Sequence, residues 1–275
     1  MQTANCTIGN RMVACCDILG FKKLVKSKPL DELLKGELAR FYELLIFSLT
    51  QKWKDLKDLA QFPEFRGEQK RVRIAWFSDT YLICGINDDE DSHYNVIETV
   101  AWLVSVTMDT QTPVRAGVAY GEFYDKPENE LYVGKALVEA YELEQAQEWV
   151  GGALSPKAAR KTPQDAMCHL KEYRVPLKTK TAASSSYPAK ECEGCERFPK
   201  TETAASPTCK TLAFDWTLIE HEAGICDERI QRAKSCAREG AQSIVRKWEN
   251  TSRFHVETCV SCFPKNSERK RPPTC

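Results

Sequence analysis

Apolar residues run unbroken from Met12 to Cys16 and stop at Asp17. Such a short run, closed by Gly20, predicts a buried strand over residues 11–19. Leu30, Leu33, Leu34, Leu38, Phe41, Leu44, Leu45 and Phe47 then recur at three- and four-residue spacing. That spacing predicts a core-facing helix over 30–58, with Pro29 before it and Asp31–Glu32 in its first turn. In 71–86, Val72, Ile74 and Trp76 alternate with Arg71, Arg73 and Ala75. Ser78–Asp79 interrupts, and the apolar pattern resumes at Tyr81–Cys84, as in a β-hairpin turning at Ser-Asp. Asp88–Asp91 reads as a loop, and Val96, Ile97, Val100, Leu103 and Val104 mark one face of a helix over 94–109. Residues 113–124 read as a second hairpin bending near Gly121. Residues 133–149 run into a helix carrying Ala136, Leu137, Ala140, Leu143 and Ala146.

The order βα, ββ, α, ββ, α is that of a ferredoxin-like palm: an antiparallel sheet with helices packed on one face. The expected class is therefore α/β (α+β), with residues 1–160 as the core. Residues 161–262 read as an elaboration of the same domain. It holds a long loop over 178–208, a strand over 211–218 and a helix over 225–248. The Lys- and Pro-containing stretch 263–275 reads as a flexible tail.

Composition narrows the function. The 275 residues carry 39 Lys+Arg against 39 Asp+Glu, a formal net charge of zero. General nucleic-acid binders are usually strongly basic, so no nucleic-acid template is expected. No stretch approaches the ~18 apolar residues that span a bilayer. The N-terminal apolar run is too short for a secretory signal, and Asp17 ends it. The expectation is a soluble, cytoplasmic protein with reduced thiols.

Asp17 and Asp79 change the picture most. A carboxylate closing a buried run is costly unless it is paired or binds a cation. In a palm-like sheet, a strand end and an adjacent hairpin turn meet on one edge. Two carboxylates there repel, and they persist when they share divalent cations. Mg²⁺ or Mn²⁺ held by two carboxylates and substrate phosphates suits nucleotidyl transfer. The backbone amides of Ile18, Leu19, Gly20 and Phe21, at a strand-to-helix turn, suit phosphate oxygens. The alternative for each aspartate alone is a capping residue at 17 and a solvated turn at 79.

These segments carry a resemblance. DILGF (Asp17–Phe21), FSDTY (Phe77–Tyr81) and VRAGVAYGEFY (Val114–Tyr124) resemble successive motifs of the class III nucleotidyl cyclases, with GKALVEAYELE (Gly134–Glu144) in the next place. The resemblance covers about residues 11–150 and continues weakly to TLAFDW. It implies that Asp17 and Asp79 are the catalytic, metal-binding aspartates. It also implies that Ile18 lends a backbone carbonyl to one metal and that two Mn²⁺ or Mg²⁺ ions serve each site. A head-to-tail homodimer with active sites at its interface follows from the same likeness.

The departures from the family pattern are informative. Purine cyclases of that family place a Lys or Glu where this chain has Ala75, and adenylyl cyclases place an Asp at Leu131. A pocket without those groups lacks the polar pattern that reads a purine edge. The family's Asn and Arg, which hold ribose and transition-state phosphate, align with Val138 and Glu142. Lys135, Arg115 and Arg73 are candidate replacement charges, the first two as phosphate contacts. Intact metal aspartates with altered base readers resemble the pyrimidine cyclases of the bacterial Pycsar antiphage systems. The implied activity converts UTP, ahead of CTP, to its 3′,5′-cyclic monophosphate plus pyrophosphate. The product would act as a second messenger in antiphage defence, and the effector would be reached through it, without direct contact. Tyr42 on the first helix would stand near the base with Ala75 and Leu131, and it reads equally well as a packed helix Tyr. Two other classes remain open: a catalytically silent dimerisation or sensing module, and a palm-type nucleotidyl transferase.

Thirteen Cys complete the inventory. Cys192/Cys195 and Cys259/Cys262 have the CxxC spacing of tetrahedral zinc ligands. The gap between the pairs far exceeds the usual spacing, so free thiols are favoured over a structural Zn²⁺. Cys15 and Cys16 read as core packing, and the four His as surface or packed residues.

Overall fold

Strand β1 (Gly9–Ile18) is buried from Met12 to Cys16 because it runs through the middle of a sheet. The chain is seen in a computed structural model that describes residues 8–36, 39, 72–108, 113–178, 208–216 and 242–258. A one-turn break at Leu19–Gly20 leads into helices α1 (Phe21–Ser27) and α2 (Leu30–Lys35). Strands β2 (Val72–Phe77) and β3 (Thr80–Gly85) form the expected hairpin. Helix α3 (Glu90–Thr107) follows, its first turn capped by Asp89, whose side chain accepts from the Ser92 amide. Strands β4 (Val114–Lys126) and β5 (Leu131–Gly134), helix α4 (Lys135–Ala146), strand β6 (Gly151–Leu154) and helix α5 (Pro156–Arg160) come next. Strands β7 (Leu170–Pro176) and β8 (Thr208–Phe214) and helix α6 (Gln242–Thr258) close the described part.

One mixed sheet of eight strands has the order β2-β3-β1-β4-β6-β8-β7, with β5 paired to the far end of β4. Side-chain alternation along β1 divides its two faces. Met12, Ala14, Cys16 and Ile18 pack with Val96, Ile97 and Val100 of α3. Val13 clusters with Ala136, and Cys15 with Ala140, both on α4. Helices therefore cover both faces, where the palm reading placed them on one. Helix α4 lies so close to β4 that a Cβ on Gly117 would meet the Ala140 carbonyl and the Glu144 backbone. Only glycine admits that approach.

Several expected elements differ. Residues 113–124 are no hairpin: β4 is continuous for 13 residues, and Gly121 pairs with Arg11 in mid-strand. The turn comes later, at the short 3₁₀ turn Pro127–Asn129, where proline and a left-handed Glu130 permit it. The short elements β6, α5 and β7 were not anticipated, because four to seven residues carry too little periodicity. Only Leu30–Lys35 of the expected 30–58 helix is described as regular helix. The remainder, with Tyr42, lies outside the described residues apart from Ala39. So do most of 178–208, residues 217–241, the 263–275 tail and Cys192, Cys195, Cys259 and Cys262. Among the described residues, no helix is long and apolar enough to cross a membrane.

Candidate active site

Asp17 is the penultimate residue of β1, opposite Thr80 on β3 and Arg115 on β4. Asp79 stands in the two-residue turn before Thr80. That turn bends through Ser78, whose φ of 58° lies in the left-handed region. Trp76 pins it, donating its indole N–H to the Ser78 carbonyl at 2.5 Å and stacking on Tyr81 at 5.0 Å. The Ile18 amide donates to the Asp79 carbonyl at 2.9 Å, so the two aspartates share one sheet edge. The Leu19 amide donates to Pro113, also at 2.9 Å. Two of the four amides read as a phosphate cradle thus serve the backbone. The Phe21 amide opens α1, with no intrahelical carbonyl to meet, beside a left-handed Gly20 at φ 84°.

Beneath Asp17 lies a buried charge cluster. Arg115 is 2% exposed; its Nε donates to Glu144 Oε1 at 2.6 Å, and its Nη2 pairs with the same carboxylate. Nη2 also stands 3.7 Å from Asp17 Oδ2, and Nη1 donates to the Gln147 carbonyl at 3.2 Å. Arg115 thus spends its guanidinium on the interior. Burial, then the Glu144 charge, pushes the Asp17 carboxyl up to about 6, with Arg115 opposing and Asp79 adding to the rise. Lys247 on α6 faces the same charges; burial, then Arg115 and Lys178, pulls its ammonium down to about 8. Lys178 is lowered too, chiefly by burial, and its Nζ donates to the Gln145 carbonyl at 2.5 Å.

Asp17 carries negative charge that its surroundings oppose, which is what a cation would relieve. Two carboxylates and nearby backbone carbonyls are hard oxygen donors and fit Mg²⁺ or Mn²⁺. Among the described residues, no group of three or more His, Cys, Asp or Glu is placed to hold a metal.

A second region lies at the other end of β4. An open cleft of about 650 Å³ is lined by Glu122, Tyr124, Lys135, Val138, Glu142 and Lys157, among others. Lys135 is largely exposed, and its Nζ meets Glu122 at 2.8 Å. Val138 and Leu131 are exposed, Val138 within this lining and Leu131 outside it. Ala75 is half-buried against the cluster of Val13, Leu82 and Cys84. Arg73 forms an ion pair with Asp125. Glu122 in the cleft lies seven steps along β4 from Arg115, the residue beside Asp17, a span of roughly 23 Å along a strand. The aspartates and the cleft are therefore separate within one chain.

Glu144 and Gln147 escaped the sequence reading. Ala136, Ala140 and Glu144 follow one another at four-residue spacing on the buried stripe of α4. A carboxylate on that stripe was the available signal, since such a group needs a buried partner. Cys15, Cys16, Cys84 and Cys209 are buried free thiols, and burial pushes the first three up, away from reactivity. Cys168 is disulfide-bonded.

No family model matches the chain, and no curated protein sequence does. Among solved structures, the chain is similar to one described as the catalytic core of a rhodopsin-guanylyl cyclase with converted specificity in complex with ATPαS. The identity is 14%, the match covers 75% of this chain and 95% of that one, and the TM-score is 0.37. At that score the likeness is too loose to carry residue roles across.

Proposed function

We propose that this chain is a nucleotide cyclase whose reacting centre is the edge carrying Asp17 and Asp79. The observation that carries the reading is the placement of Asp17 and Asp79 on one sheet edge, joined through the Ile18 amide and the Asp79 carbonyl, with the Asp17 carboxyl pushed up to about 6 by burial and neighbouring negative charge. Asp17, Asp79 and the Ile18 carbonyl would hold Mn²⁺ or Mg²⁺. Bound there, such ions acidify the ribose 3′-hydroxyl and stabilise the departing pyrophosphate. Arg115 and Glu144 keep the Asp17 carboxylate oriented from below. The Gly20 and Phe21 amides donate to phosphate oxygens.

The cleft belongs to the same reaction in this proposal, supplied by a second copy of the chain. About 23 Å lies between the two regions in one copy, more than a nucleoside triphosphate bridges comfortably. A head-to-tail homodimer would set the cleft of one copy over the aspartates of the other. Lys135 then reaches the phosphates, and closure excludes water and strengthens each charge contact. The apolar Ala75 and Leu131 offer no polar pair for a purine edge, which favours a pyrimidine, UTP before CTP. The resemblance to the antiphage cyclases supports a cytoplasmic second-messenger role, with a cyclic nucleotide product acting on a separate effector.

Incubating the protein with each of the four nucleoside triphosphates and Mn²⁺ tests this, with products identified by mass. Cyclic UMP or cyclic CMP is expected. A silent sensing module is the second reading, favoured by Val138 and Glu142 standing where the family has Asn and Arg. Absence of product from all four substrates would select it, and linear oligomers would select a polymerase.

A further inference from the structure

Helix α6 belongs to the C-terminal elaboration, yet it is docked on the segment that ends at the aspartate edge. Thr251 is fully buried; its hydroxyl accepts from the Val150 amide at 2.8 Å and lies 3.2 Å from the Val150 carbonyl. Asn250 donates to the Glu148 carbonyl at 2.6 Å. Phe254 packs edge-on against Trp149, with centroids 5.0 Å apart. The Trp149 indole donates to Gln147 Oε1 at 2.7 Å, and Gln147 Nε2 donates to the carbonyls of Ala116 and Leu143. The Gln147 carbonyl in turn accepts from Arg115, the residue facing Asp17. Every link from α6 to Arg115 is a buried hydrogen bond or ring contact.

Resting on the cyclase reading above, we propose that α6 is a positioning element for the aspartate edge, acting through Trp149 and Gln147 on Arg115. The elaboration is then part of the catalytic apparatus. Lys247, one turn before Thr251 on the same helix, brings its charge within reach of Asp17 and Glu144. Trp149 and Gln147 touch no substrate in this scheme; they fix the guanidinium that fixes the carboxylate. Outer partners of metal ligands commonly change affinity or activity about 10–100-fold when altered.

The test uses three variants of the full chain. Trp149→Phe removes the indole donor and keeps a ring against Tyr173 and Phe254. Thr251→Val removes the hydroxyl at constant shape, and Thr251→Ser restores it. Trp149→Phe and Thr251→Val should lower cyclase kcat about tenfold with KM for the triphosphate unchanged, and Thr251→Ser should match the wild type. Hydrogen exchange of folded protein supplies a readout that needs no activity. In both impaired variants, amides of Asp17–Leu19 and Arg115–Val118 should exchange about tenfold faster, with the β2–β3 hairpin unchanged. If the wild type makes no cyclic product but this exchange pattern appears, the cyclase reading fails and the positioning role stands. Unchanged exchange at those amides, or exchange raised equally throughout the sheet, overturns the positioning role.

Discussion

The aspartate edge and the β4–β5 cleft are built on opposite principles. At the edge, buried charges answer to one another: Asp17 to Arg115, Arg115 to Glu144, and α6 closes the set from behind. In the cleft, Lys135 and Val138 stand in the open, and the nearest charge partner of Lys135 is itself exposed. The difference teaches which parts are pre-set by folding and which are left open to solvent. A buried charge cluster is costly to build and is held rigidly by its hydrogen bonds. An open cleft costs little until something desolvates it. The proposal assigns chemistry to the rigid region and substrate closure to the open one.

That contrast breaks most completely at Asp17 and Asp79. Asp17→Asn and Asp79→Asn should each reduce cyclic nucleotide formation to background while circular dichroism stays native. Substantial residual product in either variant would remove the edge from the chemistry. The next largest effect should be on stability. Glu144→Gln leaves Arg115 buried with half its partner charge and should cost about 3–5 kcal/mol in urea unfolding. A loss below about 1 kcal/mol would show that the cluster is less coupled than its geometry indicates.

The charge at Asp17 sharpens the comparison through pH. Its carboxyl titrates near 6 when folded, above the ~3.9 of an unfolded aspartate. The native state therefore holds that proton more tightly. The associated stability is present at pH below about 4 and is lost as pH rises through about 6. Without metal, Asp17→Asn should gain stability relative to wild type across that window, read by thermal unfolding at each pH. Mn²⁺ affinity should run the other way and rise as pH passes 6, because binding requires the ionised carboxylate. The smallest effect belongs to the cleft: Lys135→Ala should raise KM several-fold with no measurable change in Tm.

Asp17 was legible in the sequence because a carboxylate ending an apolar run is conspicuous, and Ser78–Asp79 because polar residues split two β-rich runs. The Arg115–Glu144 pair was not, since 29 residues separate the partners and only the packing of α4 over Gly117 joins them. Gly121 misled for the opposite reason. Glycine signals a bend locally, but here it pairs with Arg11 in an unbroken strand, within the ladder that joins β4 to β1 from Val114 to Phe123. The two-faced sheet was hidden in the same way: β1 is apolar at every position from Met12 to Cys16, so its pattern does not disclose that two helices cover it. The role of α6 was invisible, because its anchors Asn250 and Thr251 are ordinary helix polar residues until residues 148–150 are placed beside them.

The central claim is that the edge of one copy works with the cleft of another. Mixing two variants measures it directly: Asp17→Asn, which disables the edge, and Val138→Trp, which fills the cleft. Each alone should make no cyclic UMP from UTP and Mn²⁺. Random exchange of subunits yields mixed dimers with one intact site, so an equal mixture should recover about a quarter of wild-type activity. A mixture no more active than its two parents, with subunit exchange verified, would contradict the account.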